Sequence, residues 1–398
     1  MTIGEDRAIA PRLTIVVPLK GRPAFTLRFL WHADRARMPF RFLLADGEAR
    51  PPLMDMLEYP RELFPHLDIE YIRCPDDTSW SRYYAKIYDA LRRVTTPYVL
   101  VAENDDFLAP AGIERAMDFL DAHQDYVCCG GGIAGFSIRA PRHAPLGKLL
   151  GPINKMTCSY TPDENPADVS SNNTLARVLC GFQCHWFFYS VYRPRALELV
   201  WKEIVEMDPS NFHTLEHFST LRTLTRGKAH LDQTATSYFK QFDTSLGGHW
   251  TTSGKAPSAT FVYHFLRSRF SSDFAAMIEV IAHAVATADG SDAEEVAEEL
   301  RLAAEPWMER IFRNNYSVPN KVRAKLRGYA PWFSEWQKTR YRPTVVFDKR
   351  AIRKRLRKNG ASDNYLAAFQ SELAQIEEAL NGKEFLKFLA NYPEVTAA

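Results

Sequence analysis

Residues 95–107 read TTPYVLVAENDDF. The segment Pro97–Val101 is continuously apolar and rich in β-branched residues, as a strand covered on both faces must be. One residue later the chain enters Glu103, Asn104, Asp105 and Asp106. A bare carboxylate is costly to bury, so this cluster has to sit at an exposed strand tip or find partners. Working outward, Leu13–Leu19 (LTIVVPL) reads as a first buried strand, broken by Lys20, Gly21 and Arg22. Ala24–Arg37 suits a helix, and Phe40–Ala45 a second strand closed by Asp46 and Gly47. Leu53–Phe64 suits a helix and Ile69–Ile72 a third strand. Tyr83–Val94 fits a helix with Ile87 and Leu91 four apart, and Pro110 opens another helix reaching about His123. Strands alternating with helices indicate an α/β fold with a mainly parallel central sheet covered on both faces. Ligands of such sheets lie at the carboxyl ends of strands. The clusters Lys20–Arg22, Asp46–Gly47 and Glu103–Asp106 are therefore expected to converge.

Beyond residue 125 the pattern is less regular. Gly130, Gly131 and Gly132 suggest a flexible turn, and the aromatic run Phe182–Tyr192 a strand or strand pair. Arg195–Glu206 and residues 213–225 suit helices, the second opening near Glu216. Thr234–Phe239 reads as a late strand, followed by a turn at Gly247, Gly248, His249 and Trp250. After residue 260 the texture is helical. Ser291 with Glu294 fits a capping box, and Asp363–Asn391 reads as a final helical block. The expected division is a catalytic domain over residues 1–258 and a helical C-terminal region over 259–398. The basic run Arg353, Lys354, Arg355, Arg357 and Lys358 suits a solvated helix face or contact with an anionic lipid or glycan surface.

The totals exclude several classes. The 398 residues are 46% apolar and 25% charged with a formal charge of +2, the proportions of an ordinary globular protein. No global charge signature for nucleic acid exists, and the basic residues are not interleaved with aromatics. The opening MTIGEDRAIAPR lacks an apolar core, and no stretch of 18 apolar residues occurs. A cytoplasmic location is the expectation, with contact at the inner face of a membrane left open. The six cysteines are expected as thiols. Zinc binding at Cys180, Cys184 and His185 has no second ligand pair nearby to support it.

Hard carboxylate oxygens suit Mg²⁺ or Mn²⁺, which also take oxygens from a substrate's phosphates. Asp105 and Asp106 at a strand tip fit that use; capping of the next helix is the plainer one. Asp46 can accept hydrogen bonds from a nucleobase or ribose, or serve the turn at Gly47. Arg22 and Lys86 can meet phosphate or base oxygens. Glu216, between His213 and His217, is a candidate base.

With these residues in place, the chain resembles an inverting glycosyltransferase of the GT-A fold, broadly the bacterial family 2 type. TIVVPLKGR (14–22) resembles that fold's first strand and nucleotide loop, and TTPYVLVAENDDF the strand leading into its DxD motif. The resemblance spans roughly residues 12–250 and leaves the helical tail without a counterpart. It implies that Pro18, Leu19 and Arg22 line the nucleotide, that Asp46 contacts base or ribose, and that Lys86 lies near the nucleotide. It places Asn104, Asp105 and Asp106 at the DxD position, with Asp106 the metal ligand to expect and Asn104 a departure for which Glu103 can compensate. It makes Glu216 the general base and His249 a late metal or diphosphate contact, with Tyr238, Lys240 and Gln241 against the diphosphate. The implied cofactor is Mn²⁺ or Mg²⁺. The implied partners are a nucleotide-sugar donor and a glycan or glycoconjugate acceptor, with a homodimer left open. The rivals are a nucleotidyltransferase for sugar phosphates, disfavoured by the single glycine of the Pro18–Pro23 loop, and an inactive glycan-binding protein.

Overall fold

The structure is a computed structural model that describes residues 10–48, 60–139, 149–158, 168–182, 187–210, 212–242, 270–316, 346–347 and 349–393. In chain order the elements are β1 (Leu13–Leu19), α1 (Pro23–Arg35), β2 (Arg41–Asp46), α2 (Pro60–Leu63), β3 (Asp68–Arg73), α3 (Trp80–Leu91) and β4 (Tyr98–Val101). Then come β5 (Phe107–Leu108), α4 (Pro110–Ala122), β6 (Tyr126–Ile138), β7 (Ile153–Cys158), β8 (Asp168–Val169), α5 (Thr174–Gly181) and a 3₁₀ turn at Phe187–Tyr189. The rest are β9 (Val191–Tyr192), α6 (Pro194–Met207), α7 (Phe212–Arg226), β10 (Lys228–Gln241), α8 (Phe270–Asp289), α9 (Ala293–Tyr316), β11 (Val346–Phe347), α10 (Lys349–Lys358), α11 (Asp363–Asn381) and α12 (Lys383–Leu389).

One sheet organises the molecule, in the order β11-β7-β6-β9-β4-β1-β2-β3, with β10 joined to β5, β6 and β8. The half built from β3, β2, β1 and β4 is parallel throughout. Beyond β4 the sheet is mixed. β9 runs antiparallel to both β4 and β6, β7 is antiparallel to β6, and β10 is parallel to β6. The expectation of a mainly parallel sheet is thus corrected to a mixed one. Apolar runs report that a strand is covered on both faces; they carry no information on its direction.

The two faces of β1 show why the sheet sits centrally. Leu13, Ile15, Val17 and Leu19 point into one apolar cluster and Val16 into the other, the period-two alternation of a strand. The first cluster takes its helical cover from α1, α4, α10, α11 and α12, the second from α3, α5, α6, α7, α8 and α9. The C-terminal helices therefore divide between the two faces. Tyr365, Leu366, Phe369, Leu373, Ile376 and Leu380 of α11 are all buried. At roughly 1.5–3 kcal/mol for each fully buried large apolar side chain, α11 is part of the core.

Several local expectations change. Gly130–Gly132 is no turn but the middle of buried β6. A Cβ at Gly131 would lie 2.8 Å from the Ser237 nitrogen, so its absence lets β10 approach β6. The late strand is longer than Thr234–Phe239, running Lys228–Gln241 through register shifts between Asp232 and Tyr238. The Phe182–Tyr192 run yields a 3₁₀ turn and the short β9, with residues 183–186 outside the described residues. Asp292, not Ser291, caps α9, its Oδ1 accepting from the Glu294 and Glu295 amides at 2.8 and 3.0 Å. The final block breaks at Gly382, whose φ of 72° ends α11 in the left-handed conformation. The part of the expected Leu53–Phe64 helix before residue 60, the helix over 261–269 and the turn at 247–250 lie outside the described residues.

Gly112 in α4 gives a direct test of the layering. A Cβ there would fall 2.0 Å from the Thr236 carbonyl oxygen of β10. In an ordinary helix, Gly→Ala stabilises by about 0.5–1 kcal/mol. Here Gly112→Ala is expected to destabilise by about 1–3 kcal/mol, read as a lower urea midpoint, because backbone cannot give way as a side chain can. A raised midpoint would refute the close contact.

Candidate active site at the carboxyl ends of the strands

The polar clusters at the ends of β1, β2 and β4 do meet. Gly47 N–H donates to the Leu19 carbonyl at 2.8 Å, joining the ends of β2 and β1. Arg22 lies in the left-handed region (φ 56°) just before Pro23 opens α1. That conformation is uncommon for a residue with a Cβ and costs of order 1 kcal/mol or more. It directs the guanidinium to Asp105, with Nη1 2.9 Å from Oδ2, and so ties the β1 loop to the end of β4.

The acidic cluster consists of Glu103, Asp105 and Asp106, whose oxygens all lie within 4.8 Å of one another. Asp105 and Asp106 are buried and Glu103 is half-buried. Each has its own partners. Glu103 Oε1 accepts from the Tyr189 hydroxyl at 2.8 Å, and its backbone N–H donates to the Tyr238 hydroxyl at 2.9 Å. Lys240 donates to the Tyr189 hydroxyl and lies 4.4 Å from the centre of that ring. Asp106 Oδ1 accepts from the Gln241 amide at 2.7 Å, while its buried Oδ2 has no hydrogen-bond partner among the described residues. Burial raises the Asp106 carboxyl well above the usual carboxylate range, and repulsion from Asp105 and Glu103 adds to this. Lys240 is held above the usual lysine range: burial opposes its charge, but Glu103, Asp106, Glu216 and Asp105 together outweigh that.

Clustered hard oxygens with an unsatisfied one at the centre fit a divalent cation such as Mg²⁺ or Mn²⁺. Asn104 is turned elsewhere: its Nδ2 donates to Thr26 Oγ1 of α1 at 2.9 Å. The acidic ligand set is therefore shifted toward Glu103, the residue expected to compensate for Asn104.

Glu216 lies one turn into α7 rather than at its opening, and it is half-buried. Its carboxyl is pushed up to about 7, chiefly by burial and secondarily by Glu103, against the opposing pull of Lys240. It thus shares an electrostatic environment with the acidic cluster. Tyr238, Lys240 and Gln241 all reach the cluster along β10.

Asp46 and Lys86 have structural partners. Asp46 Oδ2 accepts from the Tyr71 hydroxyl at 2.9 Å and Oδ1 from the Glu48 amide at 2.9 Å. Buried Lys86 donates to the Leu19 carbonyl at 2.8 Å and to Asp77 Oδ2 at 2.6 Å. Pro18 and Leu19 end β1, Pro18 half-buried and Leu19 buried. His249, and Cys184 and His185 of the zinc reading, lie outside the described residues.

Sequence reasoning missed Arg28, Asp77 and Tyr189. Arg28 is fully buried and donates to the Asp105 carbonyl and to the Leu149 carbonyl, both at 2.6 Å, with Phe107 and Phe25 against its guanidinium. Its signal was a lone cation between Leu27 and Phe29 in a helix with few polar positions. Asp77 lies four residues beyond the end of β3, in the loop at the same sheet edge as Asp46, and the strand-end rule extends to it. Tyr189 had no signal within its aromatic run.

No family model matches the chain, and no curated protein matches it. Solved structures give distant likenesses. S. aureus TarS 1–349 in complex with UDP-GlcNAc is 12% identical with a TM-score of 0.47, over 78% of this chain and 77% of that one. A longer S. aureus TarS structure is 13% identical with a TM-score of 0.45, and the match spans only 44% of its length. The mannosyltransferase PcManGT from Pyrobaculum calidifontis, in complex with GDP-Man and Mn²⁺, is 12% identical with a TM-score of 0.36, over 94% of this chain and 90% of that one. Likenesses this remote carry nothing at the level of residues. Among the described residues, no helix is long and apolar enough to cross a membrane.

Asp106→Asn separates a structural carboxylate from a ligand. The folded state raises the Asp106 pKa, so its charge costs stability progressively as pH rises above the unfolded value. Asn keeps an acceptor for the Gln241 amide and removes that charge. Without added metal, the variant is expected to melt at or above the wild-type temperature at pH 7, with its advantage shrinking toward pH 4. Its stabilisation by Mn²⁺ should vanish. An undiminished Mn²⁺ shift would remove Asp106 from the ligand set.

Proposed function

We propose that this chain is a metal-dependent inverting glycosyltransferase of the GT-A type that moves a sugar from a nucleotide-sugar to a hydroxyl acceptor. One observation carries the proposal. A trio of carboxylates at the end of a central strand, two of them buried, lies in the same electrostatic environment as a half-buried glutamate held near neutral pH. The opening strand and loop and the ENDDF segment, which resemble that family's motifs, support the same reading. The proposed catalytic domain is 1–258.

Glu103, Asp105 and Asp106 would hold the cation, which when bound offsets the negative charge of a leaving nucleoside diphosphate. Arg22 and Lys240, the cations beside the cluster, are placed to meet phosphate oxygens. Glu216 accepts the proton of the acceptor hydroxyl as that oxygen attacks the anomeric carbon. The bond from that carbon to the diphosphate oxygen breaks on the opposite side, so the configuration inverts. A base held near 7 suits this step, because about half of it is ionised at neutral pH while it stays basic enough to take the proton. Asp46 and Lys86 would shape the nucleotide side, Asp46 tying the end of β2 to Tyr71 of β3 and Lys86 tying the end of β1 to Asp77.

A thermal-shift screen of UDP, GDP, dTDP and CMP and their sugars, with and without Mn²⁺, tests the donor class. One nucleotide is expected to raise the melting temperature only when Mn²⁺ is present; no response to any of them would refute the proposal. With the donor so found, Glu216→Gln should lower turnover by about 10²–10⁴-fold while donor binding persists. Full turnover in that variant would exclude Glu216 as the base.

The pH dependence has a fixed sign. Glu216 acts deprotonated, so kcat/KM should climb with pH, tenfold per unit on the acid limb, and level off at or below about 7, since a cation beside Glu103 lowers the proton affinity of Glu216. A profile flat from pH 5 to 8 would also exclude this role.

A further inference from the structure

β10 carries Tyr238, Lys240 and Gln241 to the acidic cluster, yet it is irregular just before them, with register shifts between Asp232 and Tyr238. Backbone groups in such a stretch lose their ladder partners and need others. Here side chains supply them. Asp232 Oδ1 accepts from the Thr234 amide at 2.9 Å, and Arg115 of α4 steadies these two side chains, donating to the Asp232 carboxylate and the Thr234 hydroxyl at 2.8 and 2.7 Å. Asn359 donates to the Gln233 carbonyl at 3.0 Å. The Tyr365 hydroxyl of α11 accepts from the Thr236 amide at 2.6 Å and donates to the Thr236 carbonyl at 3.1 Å.

Tyr365, Phe369 and Glu372 are spaced four and three apart, one stripe of α11. Phe369 stacks on Phe239 with ring centres 5.8 Å apart. Glu372 Oε1 accepts from the Ala111 amide at 2.7 Å, in the first turn of α4. Ala111 lies five residues after Asp106, and Phe239 is next to Lys240. One face of one helix thus grips both chain segments that supply the acidic cluster and its donors. Those segments are also bonded to each other, Ala109 N–H to the Ser237 carbonyl at 3.1 Å and Gln241 N–H to Asp106 at 2.7 Å.

We infer that α11 is a clamp on the active site, and that Tyr365 is its positioning residue, setting through the irregular stretch of β10 where Lys240 and the Gln241 amide stand relative to Asp106. Tyr365 touches no substrate in this scheme. The inference about metal affinity rests on the proposal that the cluster binds a cation; the inference about the strand does not.

The test uses the full chain carrying Tyr365→Phe, which keeps the ring and removes the hydroxyl. Two readouts are taken: hydrogen exchange of the peptide covering residues 236–242, and Mn²⁺ affinity by calorimetry. Exchange in 236–242 is expected to quicken, and Mn²⁺ binding to weaken by about tenfold, the low end for loss of an outer-shell partner. A control, Phe385→Leu, loosens the packing of α12 on Trp31, where the ring centres are 5.6 Å apart, and should lower stability with neither effect. Unchanged exchange in 236–242 overturns the clamp. So does Mn²⁺ affinity that falls equally in the control, since the effect would then be general destabilisation. If the wild type binds no Mn²⁺ while exchange still quickens, the metal reading fails and the clamp on the strand stands. Should Tyr365→Phe not fold, Glu372→Ala probes the same stripe from the α4 side. Its Asp106-bearing segment 105–112 should then exchange faster, and unchanged exchange there overturns the clamp.

Discussion

Three carboxylates within 4.8 Å of one another, two of them buried, are the constraint on which the rest of the site depends. Like charges in a poorly hydrated place repel strongly, and each must also be desolvated. The fold meets this from every side. Arg22 reaches Asp105 from the loop after β1, Tyr189 reaches Glu103 from the 3₁₀ turn, and the Gln241 amide reaches Asp106 from β10. Lys240 supplies positive potential to the whole group. Buried Arg28 fixes the backbone at Asp105 itself. These contributions come from segments more than two hundred residues apart, so the site exists only when the whole sheet has assembled.

The order of the sheet's second half meets that requirement. β4 and β6 are both antiparallel to the short β9 and so run the same way, and β10 is parallel to β6. The carboxyl end of β10 therefore reaches the same sheet edge as that of β4, where its last residues pair antiparallel with β5, directly after Asp105 and Asp106. Such an approach needs close packing of backbone on backbone, which Gly131 and Gly112 permit. It also needs an irregular stretch to re-aim the strand; α11 satisfies backbone groups left over there, and Arg115 of α4 holds the side chains of Asp232 and Thr234.

The legible part of this was the part written in local pattern. β1, β2, β3 and β4 announce themselves as apolar runs ended by polar residues, and the ends of such strands are where ligands go; hence Arg22, Asp105 and Asp106 fell together as expected. Helix ends were legible to within a few residues for the same reason. What was not legible is long-range. Nothing near Gly130–Gly132 in sequence says that β10 will lie against it, so three glycines read as a turn. Asp46 and Lys86 have residue types that suit a nucleotide, but their partners Tyr71 and Asp77 are set by the packing of β3 and α3. Asn104 looked like a weakened ligand until its amide proved to be spent on Thr26. Tyr365 and Glu372 looked like ordinary members of an amphipathic helix, since a helix pattern shows which face is buried and not what it is buried against.

The same charge balance links the cluster to Glu216. Among the described residues, the four carboxylates Glu103, Asp105, Asp106 and Glu216 outnumber the cations beside them, Arg22, Arg28 and Lys240. Burial and mutual repulsion therefore raise the proton affinity of Asp106 and Glu216, and the excess negative charge is met in part by protons. Of the cluster, Glu103 is the member that acts on Glu216, and Lys240 opposes it. Positive charge held beside Glu103 would therefore weaken the hold of Glu216 on its proton, and negative charge there would strengthen it. The proton affinity of this glutamate is in this way tied through space to the charge at the end of β4.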